Sequence, residues 1–166
     1  MNNVSSGKAM VGGFVGTAVM TVMLYAANMM GLVQMDLAGM VGSMMNGGHH
    51  PPMMSGIWWL GMMVHFVNGS IVFPLVYTHF VHRILPGAPV VRGLLWGTAL
   101  WLGMETMAFP MVGLGFFGTK TPSPMMMVAG PMMLHIVYGA ILGAIAGAPA
   151  KDHGGEWSSG APMLAH

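Results

Sequence analysis

Residues 124–148 read PMMMVAGPMMLHIVYGAILGAIAGA and contain no Asp, Glu, Lys or Arg. A helix rises about 1.5 Å per residue, so roughly 20 apolar residues are enough to cross a hydrocarbon core of about 30 Å. The stretch is long and apolar on every face, and it lacks the in-and-out alternation that strands of a membrane barrel require. It therefore predicts a membrane-spanning α-helix.

Three more stretches have the same character, and together with the first they predict an all-α integral membrane protein, a four-helix bundle. The bundle is expected to occupy residues 9–148, between an N-terminal segment, 1–8, and a mobile tail, 149–166, that mixes Gly, Ser and Pro with polar residues. The four predicted spans are approximately 9–33, 57–84, 90–116 and 124–148.

The composition excludes several classes of protein. Asp, Glu, Lys and Arg make up 5% of the 166 residues, against about 25% in soluble domains, so too few charges exist to cover a water-facing surface. A net charge of +1 and the lack of a basic run exclude nucleic acid as a partner. The absence of cysteine excludes disulfides and Cys-ligated zinc or iron–sulfur sites.

The few basic residues predict the orientation, because positive charge marks the cytoplasmic side of a membrane protein. Of the five basic residues, Lys120 alone lies on one side of the four-span arrangement, and the other four basic residues lie on the opposite side. Both termini are therefore predicted to be cytoplasmic. These four residues are Lys8, Arg83, Arg92 and Lys151.

An internal repeat relates the two halves of the chain. Residues 63–72 (MVHFVNGSIV) recur as residues 133–142 (MLHIVYGAIL), with identity at five of ten positions. The motif Gly-x-x-x-Gly-Thr-Ala occurs at 12–18 and again at 93–99. Each copy is a hairpin that crosses the membrane twice, so the copies are expected to be parallel repeats related by an axis along the membrane normal.

Small residues and prolines predict how the helices pack. Lipid provides no hydrophobic force between helices, so glycine stripes that let backbones approach closely must supply the contacts. We expect these stripes inside the bundle, the alternative being a dimer interface, and we expect kinks at the prolines within spans. The glycines are Gly12, Gly16, Gly139, Gly143 and Gly147, and the prolines are Pro74, Pro110 and Pro131.

His65, Glu105 and His135 are predicted to lie inside the membrane, in the same outer half of the spans. Ionisable side chains in a bilayer are costly unless partnered, so they are functional candidates. Imidazole and carboxylate ligands, with methionine thioethers near them, indicate a copper(I) site. Alternatively, His65 and His135 are the axial ligands of a haem b, the three residues specify helix register by hydrogen bonds, or they relay protons.

The predicted outer loop has a second candidate site. Residues 44–54 read MMNGGHHPPMM, and thioether and imidazole groups together are typical of copper capture. We expect His49, His50, Met53 and Met54 to be the ligands. Residues 33–45, just before them, predict a helix that lies on the membrane interface and begins near Asp36.

Several short motifs are distributed along the chain, namely Gly16–Thr21, Met35–Ala38, His65–Phe66, Leu85–Pro86 with Arg92–Gly93, Met111–Phe117 and His135–Gly139. Together they resemble a family of small bacterial four-helix inner-membrane proteins with no assigned function. The resemblance implies a location in the bacterial inner membrane and the four-span topology, and it implies no activity and no site.

The sequence as a whole predicts a protein without catalytic activity of its own, because phosphate-loop, His-Glu-x-x-His and Gly-x-Ser-x-Gly motifs are absent. We expect it to bind copper, or to be an accessory subunit of a copper- or haem-containing respiratory or oxygenase complex. Its expected partners are the lipid bilayer and other membrane subunits. A haem b electron-transfer protein and a structural subunit without a cofactor are the alternatives.

Overall fold

A computed structural model describes residues 4–147 and contains no strand in that part of the chain. The predicted all-α class is confirmed. The predicted tail, 149–166, and its Lys151 lie outside the described residues. Within 4–147 the chain forms five helices, which we number α1 (Ser6–Met29), α2 (Leu37–Met45), α3 (Gly56–Ile84), α4 (89–111) and α5 (Pro124–Ala146).

Three of these helices, α1, α3 and α5, are long and apolar enough to cross a membrane. Helix α4 is not among them, because Arg92 and Glu105 interrupt its apolar sequence. The membrane character of the chain is therefore supported for three of the four predicted spans.

Two predicted spans are shorter than the sequence suggested. Helix α1 ends at Met29, where the prediction ran to residue 33, and α4 ends at Met111, where it ran to 116. Glycines with positive φ follow both ends, Gly31 at 70° and Gly113 at 82°. Glycine adopts this left-handed conformation at little cost, and it ends helices for that reason.

Helix α1 lies antiparallel to both α3 and α5 and contacts each through glycine. Gly12 and Gly16 lie against α5, where a methyl group on Gly16 would overlap the ring of Tyr138. Gly13 lies against α3, and a methyl group there would overlap the carbonyl oxygen of Gly69. The glycine stripe of α1 therefore packs inside the molecule, as predicted.

Helices α4 and α5 approach even more closely, backbone against backbone. A methyl group on Gly93 would overlap the carbonyl oxygen of Gly139, and one on Gly139 would overlap that of Gly93. Gly97 lies in the same way against the carbonyl of His135, and Gly143 lies against the start of α4. Since only glycine fits at these positions, the contact fixes the register of the two helices.

Prolines within α3 and α4 are accompanied by wide, π-helical turns. One turn, Asn68–Val72, begins six residues before Pro74, and another, Met104–Ala108, begins six residues before Pro110. Proline lacks an N–H and its ring crowds the preceding turn, and the wider turn relieves both effects. A third π turn, Tyr77–Val81, follows in α3.

Helix α2 packs on the beginning of α3. The Asp36 carboxylate caps it by accepting a hydrogen bond from the Gly39 N–H at 3.0 Å. Gly42 and Gly61 bring the backbones of the two helices together. The prediction of a helix that begins near Asp36 is confirmed, and its buried face contacts α3.

The arrangement departs from the symmetry that the predicted repeat implies. Helix α1 packs along α5, whereas α4 contacts α3 at only a few points. These points include the rings of Phe73 and Trp96, 6.4 Å apart, and a hydrogen bond of 3.4 Å from the Tyr77 hydroxyl to the Pro89 carbonyl. The repeat stays a prediction from the sequence.

Candidate metal centre

His65 lies on α3 and contacts α1. Its Nε2 is 3.1 Å from the Thr21 hydroxyl oxygen. That hydroxyl donates its hydrogen to the Thr17 carbonyl at 2.7 Å, so the imidazole donates to Thr21. The Nδ1 atom of His65 then carries the lone pair of the neutral ring.

His135 lies on α5, with Nδ1 2.8 Å from the Pro131 carbonyl oxygen. A carbonyl only accepts hydrogen bonds, so Nδ1 donates and Nε2 carries the lone pair. Pro131 lies inside α5 but does not interrupt it. The residues that the repeat relates, His65 and His135, thus have hydrogen bonds of different kinds and opposite tautomers.

The two imidazoles lie within electrostatic range of each other. One turn further along, the Tyr138 hydroxyl of α5 donates to the Gly69 carbonyl of α3 at 2.7 Å. This buried hydrogen bond links the two helices through the tyrosine side chain beside the histidines. The result is a pair of imidazoles on two linked helices, each with one nitrogen already hydrogen-bonded.

Glu105 is fully buried in the π turn of α4, at 0% exposure. Its carboxylate oxygens have no hydrogen-bond partner within bonding geometry. The Trp101 indole is close, but its N–H donates to the Val128 carbonyl at 3.2 Å. The π turn lies beside the loop turn Phe116–Gly118, towards the end of the helix.

The three predicted intramembrane residues do not form a single three-ligand site. No three His, Asp or Glu side chains among the described residues lie close enough to hold one ion. His65 and His135 are neighbours, and Glu105 does not join them in such a group. Most of the methionines expected around the site are exposed on the helix surfaces, namely Met63, Met107, Met132 and Met133.

The four predicted ligands of the outer loop differ in their surroundings. His49, Met53 and Met54 are exposed, and Met54 has a positive φ of 62°. His50 instead lies beside Asp36, with its Nε2 3.6 Å from Oδ2 of the carboxylate. Sequence reasoning had placed Asp36 only at the start of a helix. It is the sole acidic residue before Glu105, and that isolation was a signal in the sequence.

At the opposite end of the molecule, His82 and Arg92 connect α3 to α4. The Arg92 guanidinium donates from Nη1 to Nε2 of His82 at 2.9 Å. The hydrogen bond to a charged donor joins two helices that otherwise contact each other little.

The fold and these residues define a class: a small α-helical protein with three helices long and apolar enough to cross a membrane, two of which carry histidines within electrostatic range of each other. Residues 1–154 match the sequence model of a family described as "Family of unknown function (DUF6789)", and the chain belongs to that family. Comparisons with curated proteins and with solved structures found no match.

Proposed function

We propose that this protein binds copper(I) inside the membrane, between His65 and His135. It acts as a copper-binding membrane protein or as the accessory subunit of a copper- or haem-containing complex. The observation that carries the proposal is the pair of neighbouring imidazoles, each with its second nitrogen in a hydrogen bond. In this proposal His49, His50, Met53 and Met54 capture the ion on the outer side.

The hydrogen bonds of the two histidines support a role as ligands. A metal-ligating histidine usually donates its other N–H to a carbonyl or similar acceptor, which fixes the tautomer and the ring orientation. The Pro131 carbonyl is this acceptor for His135, and the Thr21 hydroxyl oxygen is the acceptor for His65. Both free nitrogens carry the lone pair that a metal ion requires.

The chemistry of the donors favours copper. Imidazole is a good ligand for copper, and copper(I) accepts a low coordination number, so two imidazoles can be sufficient. Met62 lies three residues before His65, on the same side of α3, and is half-buried. Its thioether is the soft ligand in the best position to add to the pair.

A haem b between the same histidines is the second candidate, and the geometry favours it less. A haem held by both histidines would need a wide space between α3 and α5. The hydrogen bond from Tyr138 to Gly69 instead fills the gap between these helices one turn away with a single side chain. An ion fits the space beside this side chain better than a macrocycle does.

We infer that α4 crosses the membrane as the fourth span, with both termini on the cytoplasmic side of a bacterial inner membrane. Helix α4 lies antiparallel to α5 from Gly93 to Gly97, with glycine backbones in contact. A helix in such contact with a spanning helix lies at the same depth. The polar groups of Arg92 and Glu105 are half-buried or fully buried, so they are turned away from lipid.

Titration of the purified protein in lipid nanodiscs with copper(I), against a chromogenic copper(I) chelator, tests the proposal. We expect one bound ion per chain. His65→Ala and His135→Ala each lower the affinity by about 100-fold, because each removes one of two ligands. Thr21→Val lowers it by about 10-fold, through the orientation of His65.

His79→Ala is the matched control, since His79 is exposed on α3 and its Nδ1 lies against the Leu75 carbonyl at 2.9 Å. It should leave the affinity unchanged. A Soret band in the purified protein would show that the protein binds haem, and the haem proposal would then replace the copper proposal. A protein that binds neither would be a structural subunit.

A further inference from the structure

A second cluster of potential ligands lies on the loop side, outside the spanning helices. The Asp36 carboxylate uses one oxygen, Oδ1, to accept from the Gly39 N–H at 3.0 Å and from the Trp58 indole N–H at 2.8 Å. These bonds fix the carboxylate between α2 and α3. The second oxygen, Oδ2, is directed towards His50, at 3.6 Å from its Nε2.

The hydrogen bond of His50 leaves its other ring nitrogen facing that oxygen. Its Nδ1 lies 3.0 Å from the Pro51 carbonyl, which only accepts, so Nδ1 carries the hydrogen. Nε2 is then the ring nitrogen next to Oδ2 of Asp36. A metal cation between these two atoms can take both of them as ligands.

The backbone is shaped to allow this approach. A methyl group on Gly39 would overlap both Oδ2 of Asp36 and the imidazole of His50. The Tyr25 hydroxyl is also buried without a hydrogen-bond partner, and it lies within electrostatic range of Asp36. The Asp36 side chain itself is only 18% exposed, whereas His50 is 60% exposed and open to an arriving ion.

We propose that Asp36 and His50 bind a divalent transition-metal cation such as Cu²⁺ or Zn²⁺, with water in the remaining positions. Carboxylate oxygen and imidazole nitrogen are ligands for such ions, in contrast to the softer environment preferred by copper(I). Two ligand atoms 3.6 Å apart can both bind one ion at a distance of about 2.1 Å. The site does not depend on the intramembrane histidines.

Electron paramagnetic resonance of the full chain in nanodiscs, with one equivalent of Cu²⁺, tests this site, since copper(I) gives no signal. We expect a signal with coupling to one imidazole nitrogen. His50→Ala and Asp36→Asn should each lower Cu²⁺ affinity by about 10-fold or more. Asparagine still accepts the hydrogen bonds of Gly39 and Trp58, so Asp36→Asn preserves the fold.

Gly39→Ala tests the geometry without removing a ligand, and it should lower the affinity as Asp36→Asn does. Gly56→Ala is its control, because a methyl group on Gly56 would meet no atom within 4 Å. His79→Ala is the control for His50→Ala, because His79 is exposed near the opposite end of α3, and it should bind as the wild type does.

The proposal is overturned if no Cu²⁺ binds, which would leave His50 and Asp36 as an ion pair only. It is also overturned if His79→Ala weakens binding as much as His50→Ala does. His65→Ala and His135→Ala should leave the Cu²⁺ signal unchanged while they lower the copper(I) affinity by about 100-fold. The measurements therefore distinguish a lack of binding at Asp36 and His50 from a lack of binding at His65 and His135.

Discussion

Helix α5 and helix α3 are held in the molecule by different means. Helix α5 meets α4 through facing glycines, Gly93 against Gly139, with backbones in contact. Helix α3 also has glycine contacts, with α1 and α2, but its links to α5 and α1 include hydrogen bonds of side chains, Tyr138 to the Gly69 carbonyl and His65 to Thr21. The contact of α4 with α5 therefore depends on backbone packing, whereas α3 adds hydrogen bonds beside its candidate site.

This difference indicates where the molecule can respond to a ligand. Glycines in backbone contact have one arrangement, because any displacement loses the close packing. A hydrogen bond between side chains can exchange its partner for an ion or a water molecule at modest cost. We therefore expect binding to act on α3, while α4 and α5 stay together as a fixed pair.

The largest effect should come from Gly139→Ala, which breaks the fixed pair. A methyl group there overlaps the Gly93 backbone, and we expect a loss of about 2–3 kcal/mol in the free energy of unfolding. Gly103→Ala is the control on α4, where a methyl group would meet no atom within 4 Å. It should gain up to about 1 kcal/mol from helix propensity. Unfolding in mixed micelles measures the stability of both variants. Equal effects of the two substitutions would contradict the conclusion that glycine packing fixes the contact of α4 with α5.

The sequence predicted one side of this fixed part of the fold. Glycines four residues apart in an apolar stretch indicate close helix contact, and Gly139 and Gly143 lie at such a contact, as predicted. From the sequence, Gly93 and Gly97, which face them, are recognised only as part of the repeat. The prolines predicted kinks but not π turns, because the extra residue is accommodated by packing that spacing does not reveal. The ends of α1 and α4 depended on glycine φ angles, which sequence alone does not specify.

Tyr138→Phe should have the next largest effect, since it removes the bond between α5 and α3. It leaves the Gly69 carbonyl without a partner, and we expect a loss of about 1 kcal/mol. Tyr77→Phe is the matched variant, because its hydroxyl bond to Pro89 is longer, at 3.4 Å, and should contribute less. The same unfolding experiment compares them. A larger effect from Tyr77→Phe would show that hydrogen-bond length does not rank the contacts of α3.

The smallest effect is expected from His82→Ala, at the end of α3. The variant removes the acceptor of the Arg92 hydrogen bond, and because the site is close to the helix ends we expect a loss of about 0.5 kcal/mol. Arg83→Ala, an exposed neighbour, is the control and should change stability less. If His82→Ala were as harmful as Gly139→Ala, the contact between α3 and α4 would be as fixed as that between α4 and α5.

The candidate sites were predicted only in part. The internal repeat placed His65 and His135 at corresponding positions of two helices, and in the structure they lie within electrostatic range of each other. Helix spacing predicted their depth. It could not place Glu105, because the π turn and the early end of α4 change its surroundings. The partnership of Asp36 with His50 was also not predictable, since it depends on a loop conformation and on the space left by Gly39.

The π turns of α3 have a consequence for how the gene can vary. Each turn contains the equivalent of one inserted residue, and one residue corresponds to a rotation of about 100° around a helix. Because the wide turn already accommodates that residue, deleting a single codon within Asn68–Val72 would restore an ordinary helix and leave the segment with Tyr77 and His82 facing α4. Deleting a codon within the α-helical part, Gly56–Val67, would instead turn one half of α3 relative to the other by about 100°. The π turn is therefore the place in α3 where the loss of one residue is best tolerated.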